Sequence, residues 1–400
     1  MTAGGASTPT ERERRAWVYL SAVVARPTVA VWDLVDERGV EEAAELVRTG
    51  RVGGALGELT AARRDAVDAA ELLGRGERVG ARVLVPGDPD WPVTEFASLD
   101  LPRVGRREEG RRVPTTHPLR PLALWWRGPA DPAHVAARSV AVVGTRAPSA
   151  YGRAVAADLT AGVVAHEVAV VSGGAYGIDA ASHRACLGAE GVSVAVLACG
   201  VDRAYPRGNS GLLTELAGRG ALVSEHPPGT EVSRFQFLDR NRLIAALARA
   251  TVVVEAAARS GALNTAAWAT GMGRPVGAVP GPVSSVASVG CHLLVRERGA
   301  TLVTRAEELV ELAGEMGELA EPVRAGERPW DGLDDVTRRV LECVPPSGGA
   351  EPAEVALASA VPAATVRAVL GRLAAQGVVT RGDGGWHRVR GRGRQLTLGL

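Results

Sequence analysis

The 400-residue sequence predicts an α/β fold built on a parallel sheet, with a small helical domain before it and a three-helix unit with a hairpin after it. Three observations support this prediction. From Ser139 onward, short apolar segments rich in β-branched residues alternate with segments of helical periodicity. Those apolar segments are continuous, which is typical of strands buried on both faces. A glycine-rich turn at residues 172–177 joins one of them to a helix.

Residues 1–79 are predicted to form the small helical domain. Apolar residues recur at helical spacing from Glu11 to about Leu73, and glycines interrupt the pattern. Glycine-punctuated hairpins of this kind resemble helix-hairpin-helix DNA-binding modules. A module that packs on the next domain is an equally good interpretation.

Residues 80–316 are predicted to form the sheet domain. The principal strands end at Val143, Ser172, Ala198, Ser224, Glu255 and Val279, after two shorter ones at 83–85 and 122–125. Helices are predicted at 150–165, 178–187, 210–217, 240–250 and 262–272. Because ligands of such sheets bind beyond the carboxyl ends of the strands, the loops after the strands are the candidate site.

The rest of the chain predicts a linker, a third domain and a tail. Residues 317–332 are rich in Gly, Glu and Pro, as linkers are, and residues 392–400 form the tail. Residues 333–391 contain three helical segments and two strand-like segments around a glycine turn, a pattern that predicts a winged helix. Its arginines leave both duplex DNA binding and protein interaction open.

The turn at residues 172–177 suits a phosphate group. Its glycines lack a Cβ atom and tolerate positive φ angles, so a ligand can approach the backbone closely. Amide groups at the start of the following helix, together with the helix dipole, favour an anion there.

Aromatic residues are concentrated near these loops. The chain has only four tyrosines and three phenylalanines, yet Tyr151, Tyr176, Tyr205, Phe235 and Phe237 lie in or beside the loops, among arginines. Arginines and exposed amides bind phosphates while aromatic faces stack on unpaired bases, so the combination indicates single-stranded nucleic acid. Tyr205 and Phe235 are predicted to be exposed, whereas Phe237 and Tyr151 could equally fill gaps in the core.

Composition and motifs restrict the other possibilities. The net charge is +1, and because lysine is absent every fixed positive charge is an arginine. Four cysteines without pairing or metal-ligand spacing indicate a reducing compartment. With no apolar run of membrane-spanning length and no signal-peptide pattern, a cytoplasmic protein that does not enter membranes is expected. No Walker loop, dinucleotide fingerprint or metal cluster is found, so no cofactor is predicted.

A series of short motifs resembles the DNA-processing protein A (DprA, or Smf) family. They are Gly144-Thr145-Arg146, the stretch from Ser172 to Asp179, Tyr205-Pro206-Arg207, Ser224-Glu225, the stretch from Arg240 to Ala245, Val254-Glu255-Ala256, the stretch from Ser260 to Leu263, Val279-Pro280-Gly281, and the stretch from Gly290 to Leu294 before Gly299-Ala300. They span about residues 83–308 in order, which makes the resemblance specific. Tyr176 departs from the pattern, since the family most often has arginine there.

The resemblance implies an extended Rossmann-like domain that binds single-stranded DNA, forms a homodimer and helps load the RecA recombinase in natural transformation. By motif position, Arg146 and Arg207 would contact phosphates and the glycine turn would be a backbone cradle. Arg240 and Arg242 match an Arg-Asn-Arg signature that either holds its loop together or touches DNA. With the aromatic residues, the predicted DNA-binding set is Arg146, Ser172, Gly173, Gly174, Tyr176, Gly177, Tyr205, Arg207, Phe235, Arg240 and Arg242.

Two other classes of function stay open at this stage, although the prediction is a protein without catalytic chemistry. A small-nucleotide binding or hydrolysing enzyme would need Glu225 or Glu255 as acid and base. Ser172, Asp179 and His183 also invite a catalytic interpretation, but a helix-start acid and a packing histidine explain the last two more simply. A transcription regulator would read duplex DNA with the winged helix and sense a ligand with the sheet domain.

Overall fold

The computed structural model describes residues 8–24, 26–100, 120–314 and 333–389. These residues belong to two compact units that divide between residues 320 and 321. The predicted linker, 317–332, and the predicted tail, 392–400, lie outside the described residues.

Five helices come before the sheet, which confirms the helical character predicted there. They are α1 (Glu11–Val24), α2 (Val29–Arg38), α3 (Val40–Arg48), α4 (Gly54–Ala61) and α5 (Ala69–Arg78). Leu20 of α1 belongs to the same cluster of buried side chains as Trp125 and Leu213 of the sheet region. The helices therefore pack directly against the sheet, and the domain boundary placed between residues 79 and 80 stays a prediction.

The sheet has nine strands. They are β1 (Ala81–Leu84), β2 (Leu124–Arg127), β3 (Ser139–Val143), β4 (Ala169–Ser172), β5 (Ser193–Val196), β6 (Ala221–Ser224), β7 (Ala250–Val253), β8 (Val276–Ala278) and β9 (Thr301–Leu302), in the order β1-β2-β6-β5-β4-β3-β7-β8-β9. All pairs from β6 to β9 in that order are parallel, whereas β1 with β2 and β2 with β6 are antiparallel. The predicted parallel sheet is confirmed.

Helices cover both faces of the sheet. Successive residues of one strand point to opposite faces, and their side chains are buried in different clusters. Val194 and Val196 belong to one cluster and Ala195 to another. The helices are α6 (Val93–Ala97), α7 (Pro132–Ala137), α8 (Ala150–Ala165), α9 (Ile178–Gly188), α10 (Ser210–Arg219), α11 (Arg234–Leu247), α12 (Gly261–Gly271), α13 (Val289–Arg298) and α14 (Ala306–Ala313).

Helix α11 corrects one sequence prediction. The predicted helix covered 240–250, but the observed one begins at Arg234. Its start is fixed by a capping box, in which the side chains of Ser233 and Gln236 bind each other's backbone amides. It ends at Leu247 because β7 begins at Ala250. Phe235 consequently lies in the first turn of a helix.

The strand order reverses beside β3, which has β4 on one side and β7 on the other. The parallel strands β3, β4 and β5 end at one edge of the sheet, where the chain continues into residues 144–149, 173–177 and 197–209. We call these three segments the carboxyl rim.

The second unit contains three helices and a hairpin. They are α15 (Asp335–Glu342), α16 (Pro352–Ser359), α17 (Ala363–Ala375), β10 (Val379–Gly382) and β11 (Gly385–Arg388), the last two pairing antiparallel. The element types match those predicted, and the assignment to the winged-helix class stays a prediction. No single helix in the described ranges is long and apolar enough to cross a membrane, although α16 and α17 together pass that test as a pair bent by 110°.

Candidate nucleic-acid interface

The carboxyl rim contains a cleft of about 100 Å³. Residues from all three rim segments line it, together with Val232, Phe237 and Arg240. Five of the residues predicted to bind DNA are among its lining: Arg146, Gly173, Tyr176, Tyr205 and Arg240. The loops that the sequence singled out separately therefore meet in one place.

The glycine turn already holds a carboxylate of the protein itself. Asp179 accepts hydrogen bonds from the amides of Gly173 at 3.2 Å and Ala175 at 3.4 Å. Burial raises the pKa of this carboxyl, while the nearby Arg240 opposes that shift. Within the described chain no acceptor is found for the amides of Tyr176 and Gly177. These two amides are the part of the predicted cradle that could still bind a phosphate.

Close packing explains why glycine is needed in this turn. Gly177 has a φ of 85°, and a Cβ atom there would lie 2.2 Å from the carbonyl oxygen of Thr145. Gly174 has a φ of 66°, and a Cβ atom on Gly173 would come within 2.6 Å of the Arg240 guanidinium. Backbone and side chains thus pack against the turn where other residues would carry a Cβ atom.

Arg240 is buried beneath the cleft rather than projecting from it. Its Nη1 atom donates to the carbonyl oxygen of Gly173 at 2.7 Å and to that of Val196, joining the ends of β4 and β5. Burial lowers the pKa of this guanidinium to about 10, although Asp179 acts in the opposite direction. Arg240 therefore holds the rim together from below.

Arg242 is also buried, and it forms an ion pair of 2.6 Å with Glu225. Only 3% of the Arg242 side chain and 8% of the Glu225 side chain are exposed. Both arginines of the Arg-Asn-Arg signature thus form contacts inside the protein. This favours a role in holding the loop together over contact with DNA. Direct DNA contact by Arg242 stays a prediction that its burial disfavours.

Two predicted arginines are exposed and available. The side chains of Arg146 and Arg207 have no hydrogen bond or ion pair with any described residue, and the Arg146 guanidinium lies 5.2 Å from the centre of the Phe237 ring. Arg234, at the start of α11, is exposed in the same way and was not singled out from the sequence. These guanidinium groups can bind phosphates without first breaking a hydrogen bond or an ion pair in the protein.

Three aromatic residues, Tyr176, Tyr205 and Phe237, line the same cleft, whereas Phe235 and Tyr151 lie outside its lining. Tyr205 and Phe237 pack with their ring centres 5.6 Å apart. Tyr205 is 41% exposed, Tyr176 47% and Phe235 76%, so exposure of Tyr205 and Phe235 agrees with the expectation. Phe237 is half-buried under Tyr205, and Tyr151 is exposed with its hydroxyl donating to Pro280. Exposed ring faces beside free guanidinium groups can stack on bases whose phosphates the arginines bind.

A contact that the sequence did not reveal joins two rim segments. The side-chain amide of Asn209 donates to the carbonyl oxygens of Gly174 and Ala175, both at 3.1 Å. The backbone amide of Gly208 donates to the hydroxyl of Tyr176, also at 3.1 Å. The loop that carries Arg207 is therefore fastened to the glycine turn.

The side chains of the catalytic alternatives are engaged inside the protein. Ser172 is buried and donates to the carbonyl oxygen of Val142. His183 is buried against Ser193, and burial lowers its pKa to about 3. Neither presents a reactive group to the rim. In the described ranges, no group of three His, Cys, Asp or Glu residues could hold a metal ion.

The reversal point beside β3 is occupied by Glu255. Its carboxylate accepts from the Ser149 amide at 2.9 Å and from the Ser149 hydroxyl at 2.6 Å, at the start of α8. A Cβ atom on Gly152 would lie 2.2 Å from this carboxylate. The position at which sheets of this kind commonly bind a nucleotide phosphate therefore holds the protein's own anion.

Comparisons with known proteins agree with the motifs. The family model for DNA recombination-mediator protein A matches residues 84–314. A protein of Mycobacterium tuberculosis (strain H37Rv) named as a DNA processing protein DprA is 49% identical over 376 residues, which are 94% of each chain. DprA of Streptococcus pneumoniae (strain R6) is 39% identical over 48% of this chain and 66% of its own. A crystal structure of DprA from S. pneumoniae aligns with a TM-score of 0.59 and 28% identity, covering 77% of this chain and 98% of that one.

Proposed function

The chain belongs to the DNA recombination-mediator protein A family, also called DprA or Smf, whose members act in DNA processing during recombination, and from this premise we propose that it binds single-stranded DNA at its carboxyl rim. The observation that carries the proposal is the cleft in which unpaired Arg146 lies beside the Tyr205–Phe237 pair. Phosphates bind Arg146, Arg207 and the two free amides of the glycine turn, while unpaired bases stack on the exposed rings.

The site favours single strands over duplex DNA. A narrow cleft edged by aromatic rings accepts a base only when that base is unstacked and unpaired. Most contacts involve phosphates and ring faces, so sequence preference is slight and affinity falls steeply with salt. Because Ser172, Arg240 and Arg242 are buried, they act by holding the rim in shape.

The protein acts as an accessory factor without catalytic chemistry that loads RecA onto the strand it holds. This part of the proposal rests on the family's role and implies a cytoplasmic location. It predicts that the protein speeds RecA filament formation on single strands coated with single-strand-binding protein. Unchanged RecA assembly in the presence of this protein would refute the loading role and leave DNA binding intact.

A homodimer forms through the sheet domain. Strand β9 is the edge of the nine-stranded sheet, and its Leu302 is 49% exposed. Val283, Val286 and Val295, which follow β8, are exposed as well. Open edge strands and exposed apolar side chains are both common features of subunit interfaces. Light scattering should give twice the monomer mass for the wild type. The double variant Val286→Asp, Leu302→Asp should instead have the mass of one monomer.

Fluorescence anisotropy tests the DNA site. Labelled single strands and duplexes are titrated across a salt series with the wild type, with Arg146→Ala and with Arg184→Ala, an exposed arginine of α9 outside the cleft. Single strands should bind more tightly than duplexes. Arg146→Ala should weaken that binding and lower the salt slope by about 0.7, the value for one phosphate on a single strand. Equal duplex binding that is unaffected by Arg146→Ala would move the function to the C-terminal unit.

A further inference from the structure

A second and larger cavity lies outside the cleft. It is a groove of about 340 Å³ between α1, the region from α4 to α5 and the loop that follows β6. Its walls include Arg63 and Arg75 from the helical part, and His226 and Gln236 from the sheet domain. The apolar side chains of Ala22, Val67, Leu72 and Pro227 also line this cavity. We call this cavity the junction groove.

The junction groove offers one free cation over an apolar floor. Arg63 is exposed, and its side chain has no hydrogen bond or ion pair with any described residue. Arg63 lines the same groove as His226, whose pKa is lowered mainly by burial and, to the smallest extent among the nearby charges, by Arg63. Arg75 pairs with Glu71 at 2.9 Å and lies against Gly229 of the opposite wall. Asp68 also lines the groove, but its carboxylate caps the first amides of α5.

His226 provides a hydrogen-bonding group that the described residues leave unused. Its side chain is 7% exposed, and its Nε2 atom has no partner in the described part of the chain. A buried polar atom without a partner is unfavourable, so a polar ligand that reached this atom would gain a hydrogen bond there. The groove thus combines a cation, an apolar surface and polar edges, which are the contacts that one nucleotide needs.

The junction groove and the cleft share a wall. Val232 and Phe237 line the cleft, whereas Thr230 and Gln236 of the same segment line the groove. Phe235, the most exposed aromatic residue of this segment, lines neither cavity. A strand that leaves the cleft along this segment reaches the groove on the other side of the shared wall.

We propose that the junction groove is a second nucleotide subsite for single-stranded DNA, in which Arg63 binds a phosphate and the apolar floor receives the base. This subsite rests on the proposed function, since it extends the strand held in the cleft. In this proposal, the helical region before the sheet contacts DNA through Arg63. Because Arg63 is the one arginine without an ion pair among the described residues that line the groove, the subsite adds one phosphate contact.

The test compares two lengths of single strand in the full-length protein. An oligonucleotide of about four nucleotides covers the cleft alone, whereas one of about fifteen can reach both sites. Arg63→Ala should leave the short strand unaffected and weaken the long one by about tenfold or more, as expected for one hydrogen bond to a charged group. Ala66→Trp, which fills the groove without removing a charge, should do the same. Arg12→Ala, an exposed arginine of α1 outside the groove, is the control.

The outcomes separate this subsite from the DNA site as a whole. Normal wild-type binding with no effect of Arg63→Ala at either length, or with an equal effect at both, would overturn the subsite and leave the cleft standing. Absence of single-strand binding by the wild type would refute the proposed function, and the subsite with it. Unchanged long-strand binding by Ala66→Trp would also show that the groove receives no base.

Discussion

The hydroxyl oxygen of Tyr176 lies 3.1 Å from the backbone nitrogen of Gly208, across the mouth of the cleft. A Cβ atom at position 208 would lie 2.5 Å from the same hydroxyl, so a larger residue there would displace the Tyr176 side chain. Through this hydrogen bond, Tyr176 of the glycine turn fixes the loop that bears Arg207.

We expect Tyr176→Phe to weaken single-strand binding by about two- to tenfold, the range for one hydrogen bond. The ring face is kept, so the loss reports the position of Arg207 and not stacking. Anisotropy with a short oligonucleotide measures it. Tyr151→Phe is the matched control, since it removes an exposed tyrosine hydroxyl that donates to Pro280. Equal affinities of all three proteins would show that the bond does not position the loop.

The sequence predicted the alternation of strands and helices because each is encoded by nearby residues. Continuous apolar segments and a glycine turn are local signals, and so is the Ser233–Gln236 capping box, which was overlooked. Whether an arginine is exposed or buried is not determined by its neighbours in the sequence. Arg146 and Arg240 both belong to family motifs, yet one is exposed and the other buried, because the latter faces strand ends brought together only by the fold.

Removing Arg242 should destabilise the protein far more than removing an exposed arginine. Arg242→Ala leaves Glu225 buried without its partner, which costs about 3–5 kcal/mol. Arg48→Ala, which breaks an exposed pair with Glu45, should cost less than about 1 kcal/mol. Urea unfolding measures both. A variant of normal stability that has lost only DNA binding would show instead that Arg242 contacts the strand.

Gly177→Ala should damage the cleft through the backbone. Its φ of 85° is unfavourable for alanine, and the added Cβ would meet the carbonyl oxygen of Thr145 at 2.2 Å. We expect destabilisation of more than about 1 kcal/mol together with weaker single-strand binding. Gly188→Ala in the last turn of α9 is the control, since nothing lies within 4 Å and its helical position favours alanine by up to about 1 kcal/mol. Similar unfolding curves for the two variants would contradict this account of the turn.

His183 should make the protein sensitive to acid. Burial, with Arg240 and Arg184 adding to it, lowers its pKa to about 3 from an ordinary value of 6.5. The unfolded chain therefore binds a proton below pH 6.5 that the folded protein does not, so this contribution to stability is complete above pH 6.5 and is lost as the pH falls towards 3. The loss amounts to about 1.4 kcal/mol per pH unit within that window. Urea unfolding at several pH values measures this effect. Between pH 6.5 and 3 the free energy of unfolding should fall less for His183→Gln than for the wild type, whatever the variant's stability at neutral pH. Parallel pH profiles for the two proteins would mean that His183 has the same pKa in the folded and the unfolded protein.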